Sequence, residues 1–138
     1  MTLDEETVDK LEGVGYRVTR PRRAVVDAIT HSTAPFTVED ICIALPRVGR
    51  ATVFRTMKLL HELDVVCRVP LEDGSVRYAL SRGGHHHHLV CRSCGRVEEF
   101  SDAKLDELIT SRAKELRFQL EGHSLELYGL CRECGARR

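Results

Sequence analysis

Two Cys-x-x-Cys pairs and a run of four histidines carry the chemistry legible in this sequence. Cys91 and Cys94 form one pair, Cys131 and Cys134 the other, with Gly95 and Gly135 directly after them. This spacing lets two thiolates converge on one ion from a tight turn, and glycine helps such a turn close. Two pairs together make the closed tetrahedral S₄ set of a structural zinc site, one ion per chain. Redox-active pairs or unrelated buried cysteines are the alternative. A redox pair prefers a strand-to-helix junction, and neither pair reads that way. Residues 95–130 must hold a helix and two strands, so the ion would clip the ends of a domain together.

The histidines His85–His88 run into the first pair as GHHHHLVC. On a strand, side chains alternate faces, so His85 and His87 point one way and His86 and His88 the other. One strand can thus serve two metal sites, each needing ligands from elsewhere. His123 and a carboxylate, Asp106 or Glu107, suit a secondary site with His85 and His87. Cys67 and Glu99 suit a second, regulatory site with His86 and His88. A metal held by Cys67 and this strand would bridge two domains and bias their orientation. His31 and His61 read as ordinary surface or core residues, and Cys42 as a small core residue.

The elements that must position these groups follow from periodicity and caps. Apolar spacing predicts a helix over 4–14, ended by Gly13 and Gly15. Pro21 opens a second helix. Thr37 with Asp40 reads as a capping box for a third helix over 37–45, stopped by Pro46. A fourth helix spans 50–63 after a short turn, which is the helix-turn-helix pattern. The strands 65–70 and 76–80 around Asp73-Gly74 form a hairpin, placed as a wing. Residues 81–84 (SRGG) read as a hinge. Beyond it the pattern is strand (86–91), knuckle, strand (96–100), helix (102–116) and a long strand (118–129). The expected fold is α+β: a winged helix-turn-helix over 1–82, then a small α/β domain over 83–138 with a three-stranded antiparallel sheet.

Charge adds a direction. The 138 residues balance to zero net charge, yet residues 1–15 hold five acids against one base, and residues 16–58 hold eight bases against three acids. A local surplus of five positive charges can guide phosphate contacts in a neutral chain. Hydrophobic content of 42% excludes global disorder. No apolar run approaches the ~18 residues of a membrane span, and the acidic start carries no signal-peptide core. The expected location is the cytoplasm, where six cysteines point to metal rather than disulfides. A zinc hydrolase would need an open coordination position and a general base; no HExxH motif is present.

Over about residues 10–135 the sequence resembles the ferric-uptake-regulator family of bacterial metalloregulators. The resemblance rests on GYRVTRPR (15–22), RATVFRTMKLL (50–60), HHHHLVCRSCGRVEEF (85–100), GHSLELYGLC (122–131) and the closing CxxC. It implies a homodimeric repressor, not an enzyme, that binds A·T-rich inverted repeats when a regulatory metal is bound, with residues 83–138 as its metal-binding dimerisation domain. Arg17 would enter the minor groove, and Phe54 and Arg55 would contact bases. Arg20, Arg50 and Thr52, on the same motifs, complete the expected DNA-binding set. Phe54 stands where the family usually has tyrosine, which keeps contact with thymine methyls but loses a phenolic hydrogen bond. Asp106 stands where glutamate is common.

The family's iron and peroxide sensors usually add a histidine before the third helix and a carboxylate before the His run. Here those places read Ala34-Pro35 and roughly 79–81. Cys67 falls where zinc sensors place a ligand, although the further cysteine they often carry near Ser81 is missing. A thiolate with two imidazoles favours Zn over Fe(II) or Mn(II). The second metal is accordingly read as regulatory Zn²⁺; an iron, manganese, nickel or Fe-dependent peroxide sensor of the same family is the alternative.

Overall fold

The computed structural model describes residues 1–138 except 33, 34, 82–84 and 138. The chain divides into two compact units, Met1–Gly83 and Gly84–Arg138. Most of the expected hinge lies outside the described residues.

In the first unit, four helices precede a hairpin: α1 (Leu3–Gly13), α2 (Arg20–Thr30), α3 (Val38–Ala44), α4 (Arg50–Glu62), β1 (Val66–Pro70) and β2 (Val76–Leu80). Threonine opens each of the first three. Thr2 and Thr37 form reciprocal capping boxes with Glu5 and Asp40, and Thr19 accepts from the Arg22 amide. Val25, Val26 and Ile29 on α2 face Val53, Met57 and Leu60 on α4; with Leu11 and Val66 they are almost fully buried and share one cluster. Each such side chain stabilises the fold by roughly 1.5–3 kcal/mol.

The hairpin is a wing in register Cys67↔Ala79 and Arg68↔Tyr78. Gly74 turns it with φ +86°, while the Asp73 carboxylate accepts from both the amide and the hydroxyl of Ser75. Tyr78 exchanges two backbone hydrogen bonds with Phe36, at 2.9 and 2.7 Å, and their rings stack. This bridge fixes the wing against the segment leading into α3.

The second unit contains β3 (His87–Cys91), β4 (Val97–Phe100), α5 (Ala103–Glu115), β5 (Glu126–Gly129) and α6 (Arg132–Ala136). The sheet order is β4-β3-β5. It is three-stranded as expected but mixed rather than antiparallel: β4 runs against β3, and β5 runs parallel to it. Convergence of the two cysteine pairs requires this. β3 leads into Cys91 and β5 into Cys131, so both strands must point toward the same end.

The long strand expected over 118–129 is confined to 126–129. Its ladder with β3 starts at His88↔Glu126, leaving the earlier residues no strand to pair with. The closing pair also meets a short helix that the sequence pattern does not predict, α6, with Cys131 as its N-cap and Cys134 inside it. Among the described residues, no helix is long and apolar enough to cross a membrane.

Candidate metal centres

The four cysteine sulfurs of the second unit lie within 4.8 Å of one another. Cys91 ends β3 and Cys94 closes a turn in which Gly95 (φ +78°) donates its amide to the Cys91 carbonyl. Cys131 is the N-cap of α6, and Cys134 lies one turn in. The second pair therefore does sit at a strand-to-helix junction, against expectation, and Gly135 is helical rather than a turn residue. What separates the cluster from a redox pair is that all four sulfurs converge. Cys94 Sγ and Cys131 Sγ are 3.8 Å apart, far from the ~2.05 Å of a disulfide. Tetrahedral thiolates at ~2.3 Å from zinc would stand about 3.8 Å apart.

Local hydrogen bonds ready this set for a cation. Amide N–H groups of Cys94 and Cys131 donate to Cys91 Sγ, the latter at 3.3 Å, and lower its thiol to about 6. The Ser93 hydroxyl acts on Cys134 in the same direction, but the neighbouring sulfurs and burial outweigh it and push that thiol up to about 11. Four thiolates cannot all ionise together without a cation between them. Ser93 has a part that sequence reasoning missed, although its place inside the first pair was a hint.

The His run divides between two faces. On one, His85 Nε2 and His123 Nε2 are 2.9 Å apart, and His87 Nε2 lies 2.7 Å from Asp106 Oδ1. The same carboxylate oxygen is 3.5 Å from both His85 and His123. Ligands at ~2.1 Å around a tetrahedral ion stand about 3.4 Å apart, so this constellation fits a divalent metal. The His87 hydrogen bond, with the three nearby imidazoles, holds the Asp106 carboxyl below its usual range. Asp106, not Glu107, joins the group.

On the other face, His86, His88 and Glu99 gather within the second unit. The His86 and His88 ring centroids are 5.0 Å apart, Glu99 on β4 stands opposite His88 in the β3–β4 register, and its carboxylate lies 3.9 Å from His86 Nε2. Burial first, then His86, lowers the His88 pKa, favouring the neutral imidazole a metal requires. His86 Nδ1 is buried with no hydrogen-bond partner, as is His87 Nδ1. Unsatisfied buried nitrogens of this kind cost roughly 1–3 kcal/mol each. Cys67 belongs to the first unit, half-buried on β1, with its thiol 3.6 Å from the Ala79 carbonyl.

The expected DNA-reading residues all lie in the first unit. Arg17, Arg20, Phe54 and Arg55 are exposed, and Thr52 is half-buried. Arg22 Nη1 donates to the Arg17 carbonyl at 2.8 Å, which fixes the segment carrying Arg17. Arg50 is not a free cation: its guanidinium meets Glu39 at 2.6 Å.

The sequence profile of the Ferric uptake regulator family matches residues 13–128. Among relatives, the ferric uptake regulation protein of Bacillus subtilis is 32% identical, covering 93% of this chain and 91% of its own. That of Cupriavidus metallidurans is 36% identical, covering 88% of each. The Vibrio cholerae ferric uptake regulator structure superposes with a TM-score of 0.68 at 32% identity, covering 91% of this chain and 99% of that one. A zinc-bound manganese uptake regulator gives 0.61 at 30% identity, covering 95% and 99%. A zinc uptake regulator complexed with zinc and DNA shares the fold at 0.75 with 23% identity, covering 99% and 98%. The chain belongs to the ferric uptake regulator family.

Proposed function

We propose that this chain is a zinc-sensing, DNA-binding transcriptional repressor of the zinc-uptake type. It works as a homodimer in the cytoplasm on A·T-rich inverted repeats near metal-homeostasis genes. The observation that carries the reading is the pairing of a four-sulfur cluster with a histidine strand that serves two faces. The cluster has the ligand chemistry of a structural zinc. The histidine faces, with imidazole and carboxylate ligands, suit metal that enters and leaves.

Cys91, Cys94, Cys131 and Cys134 would hold the staple. His85, His87, Asp106 and His123 would hold the secondary ion. His86, His88 and Glu99, completed by Cys67, would form the regulatory set. A thiolate in that set favours zinc over the iron named for the relatives. The bound ion would tie the two units together and bias the paired winged helices toward the spacing of successive major grooves. Arg17, Arg20, Thr52, Phe54 and Arg55 would then meet the duplex, with Arg50 dependent on leaving Glu39.

The dimer reading rests on apolar surface in the second unit. No residue of α5 is buried, and Leu108, Leu116, Phe118 and Leu127 are each at least 40% exposed. β5 is also a sheet edge, and exposed edges and apolar patches invite a partner.

The test is elemental metal content per chain, for the wild type and Cys67→Ser, before and after mild chelation. The expected result is one zinc that resists chelation and further metal that leaves, returns and is reduced in the variant. A single resistant zinc, with no further uptake when Zn, Ni or Mn is supplied, would overturn the sensor.

A further inference from the structure

Between α4 and the wing runs a groove of about 280 Å³ whose walls include Phe54, Arg55, Lys58, His61, Arg68 and Tyr78. Phe54, Lys58 and His61 recur at helical spacing along the exposed side of α4, and the buried Met57, on the same flank, also lines the groove. Arg68, exposed on β1, stands across from them, next to Tyr78 in the strand register. Tyr78 is itself pinned by its two hydrogen bonds to Phe36, so this wall is rigid. Among the described residues, no carboxylate lines the groove. The Asp73 carboxylate at the wing tip is turned onto Ser75.

We propose that this groove is a phosphate-binding clamp for the DNA backbone, with Lys58 and Arg68 as its two charged jaws. The inference rests on the DNA-binding reading above. In a helix-turn-helix, the first residues of the recognition helix meet base edges, while later ones face the backbone. Arg55 stands one turn before Lys58, so the two divide the labour: Arg55 reads, Lys58 holds. Lysine is a compact point charge suited to a phosphodiester rather than to a base edge. Neither jaw carries sequence information, so both fix register and add affinity on any duplex.

The test uses the zinc-loaded full chain and two labelled duplexes: an A·T-rich inverted repeat selected by the wild type from a random pool, and an unrelated duplex of equal length. Affinity is measured across salt for the wild type, Lys58→Ala, Arg68→Ala and the double variant. Each lost phosphate contact should reduce the slope of log affinity against log salt by about 0.9. Between 50 and 200 mM salt, the wild type should therefore lose about 3.5-fold more affinity than either single variant. The loss should be equal on both duplexes, leaving discrimination intact. Wild-type slopes in both variants would overturn the clamp while leaving DNA binding standing. A loss confined to the selected duplex would instead make these residues base readers. A wild type that selects no duplex from the pool and does not bind the unrelated one would overturn the clamp together with the reading beneath it.

Discussion

Replacing Cys94 with serine isolates the metal's contribution to folding. Cys94 is exposed, so the smaller side chain leaves no cavity. An exposed substitution without a special role changes stability by only about ±0.5 kcal/mol. If the sulfur cluster holds zinc, the expectation is different. Structural zinc contributes an apparent ~10–16 kcal/mol in small domains, or roughly 3 kcal/mol for each of four ligands. The second unit has little else to rely on: among the described residues, its only buried side chains are His87, His88, Val90 and Cys91, whereas the first unit buries fifteen. Small domains with so little core need a staple or a partner. Thermal unfolding followed by NMR, with resonances from both units, should show the second unit melting at least 10 °C lower in Cys94→Ser. A shift of ~4–8 °C per kcal/mol sets that figure. The first unit, with its own aliphatic core, should hold its midpoint. An unchanged midpoint in the second unit would refute the staple.

Three further outcomes follow. Arg55→Ala should weaken operator binding by about 1–3 kcal/mol and relax discrimination at one base pair, in titrations against mutated duplexes; unchanged discrimination would remove Arg55 from base reading. Cys67→Ser should keep the fold, by circular dichroism, while losing metal-stimulated DNA binding, and a normal metal response would move the regulatory ligand elsewhere. The Asp73 carboxyl is held below its usual range by the Ser75 hydroxyl and amide. Its contribution to the wing turn is therefore complete above the ordinary aspartate value of ~3.9 and lost as pH falls through its lower, folded value. The Ser75 amide resonance should titrate with a midpoint below ~3.9; a midpoint at or above it would contradict the turn geometry.

The sequence carried most of this organisation because its signals are local. Thr37 and Asp40 mark a helix start by chemistry confined to four residues, and the Asp73-Gly74 turn needs only its own backbone. Alternation along a strand is enough to separate His85 and His87 from His86 and His88. Pairings between distant segments were harder to read. Residues 118–129 alternate like a strand, yet a strand exists only where a neighbour meets its amides, and β3 offers none before His88. Phe118 and Leu120 are left exposed. The parallel run of β5 was within reach, since two pairs that must converge cannot be entered from opposite ends. The partner of Arg50 was hard to read for a related reason: only the fold brings Glu39, eleven residues earlier, beside it.

The most direct test of the whole account is operator affinity measured on one preparation as isolated, after mild chelation that spares the sulfur cluster, and after zinc is restored. Metal coupling of ~1–3 kcal/mol predicts a loss of about 5- to 150-fold on chelation and full recovery with zinc. Affinity that stays constant through removal and return would contradict a metal-gated repressor.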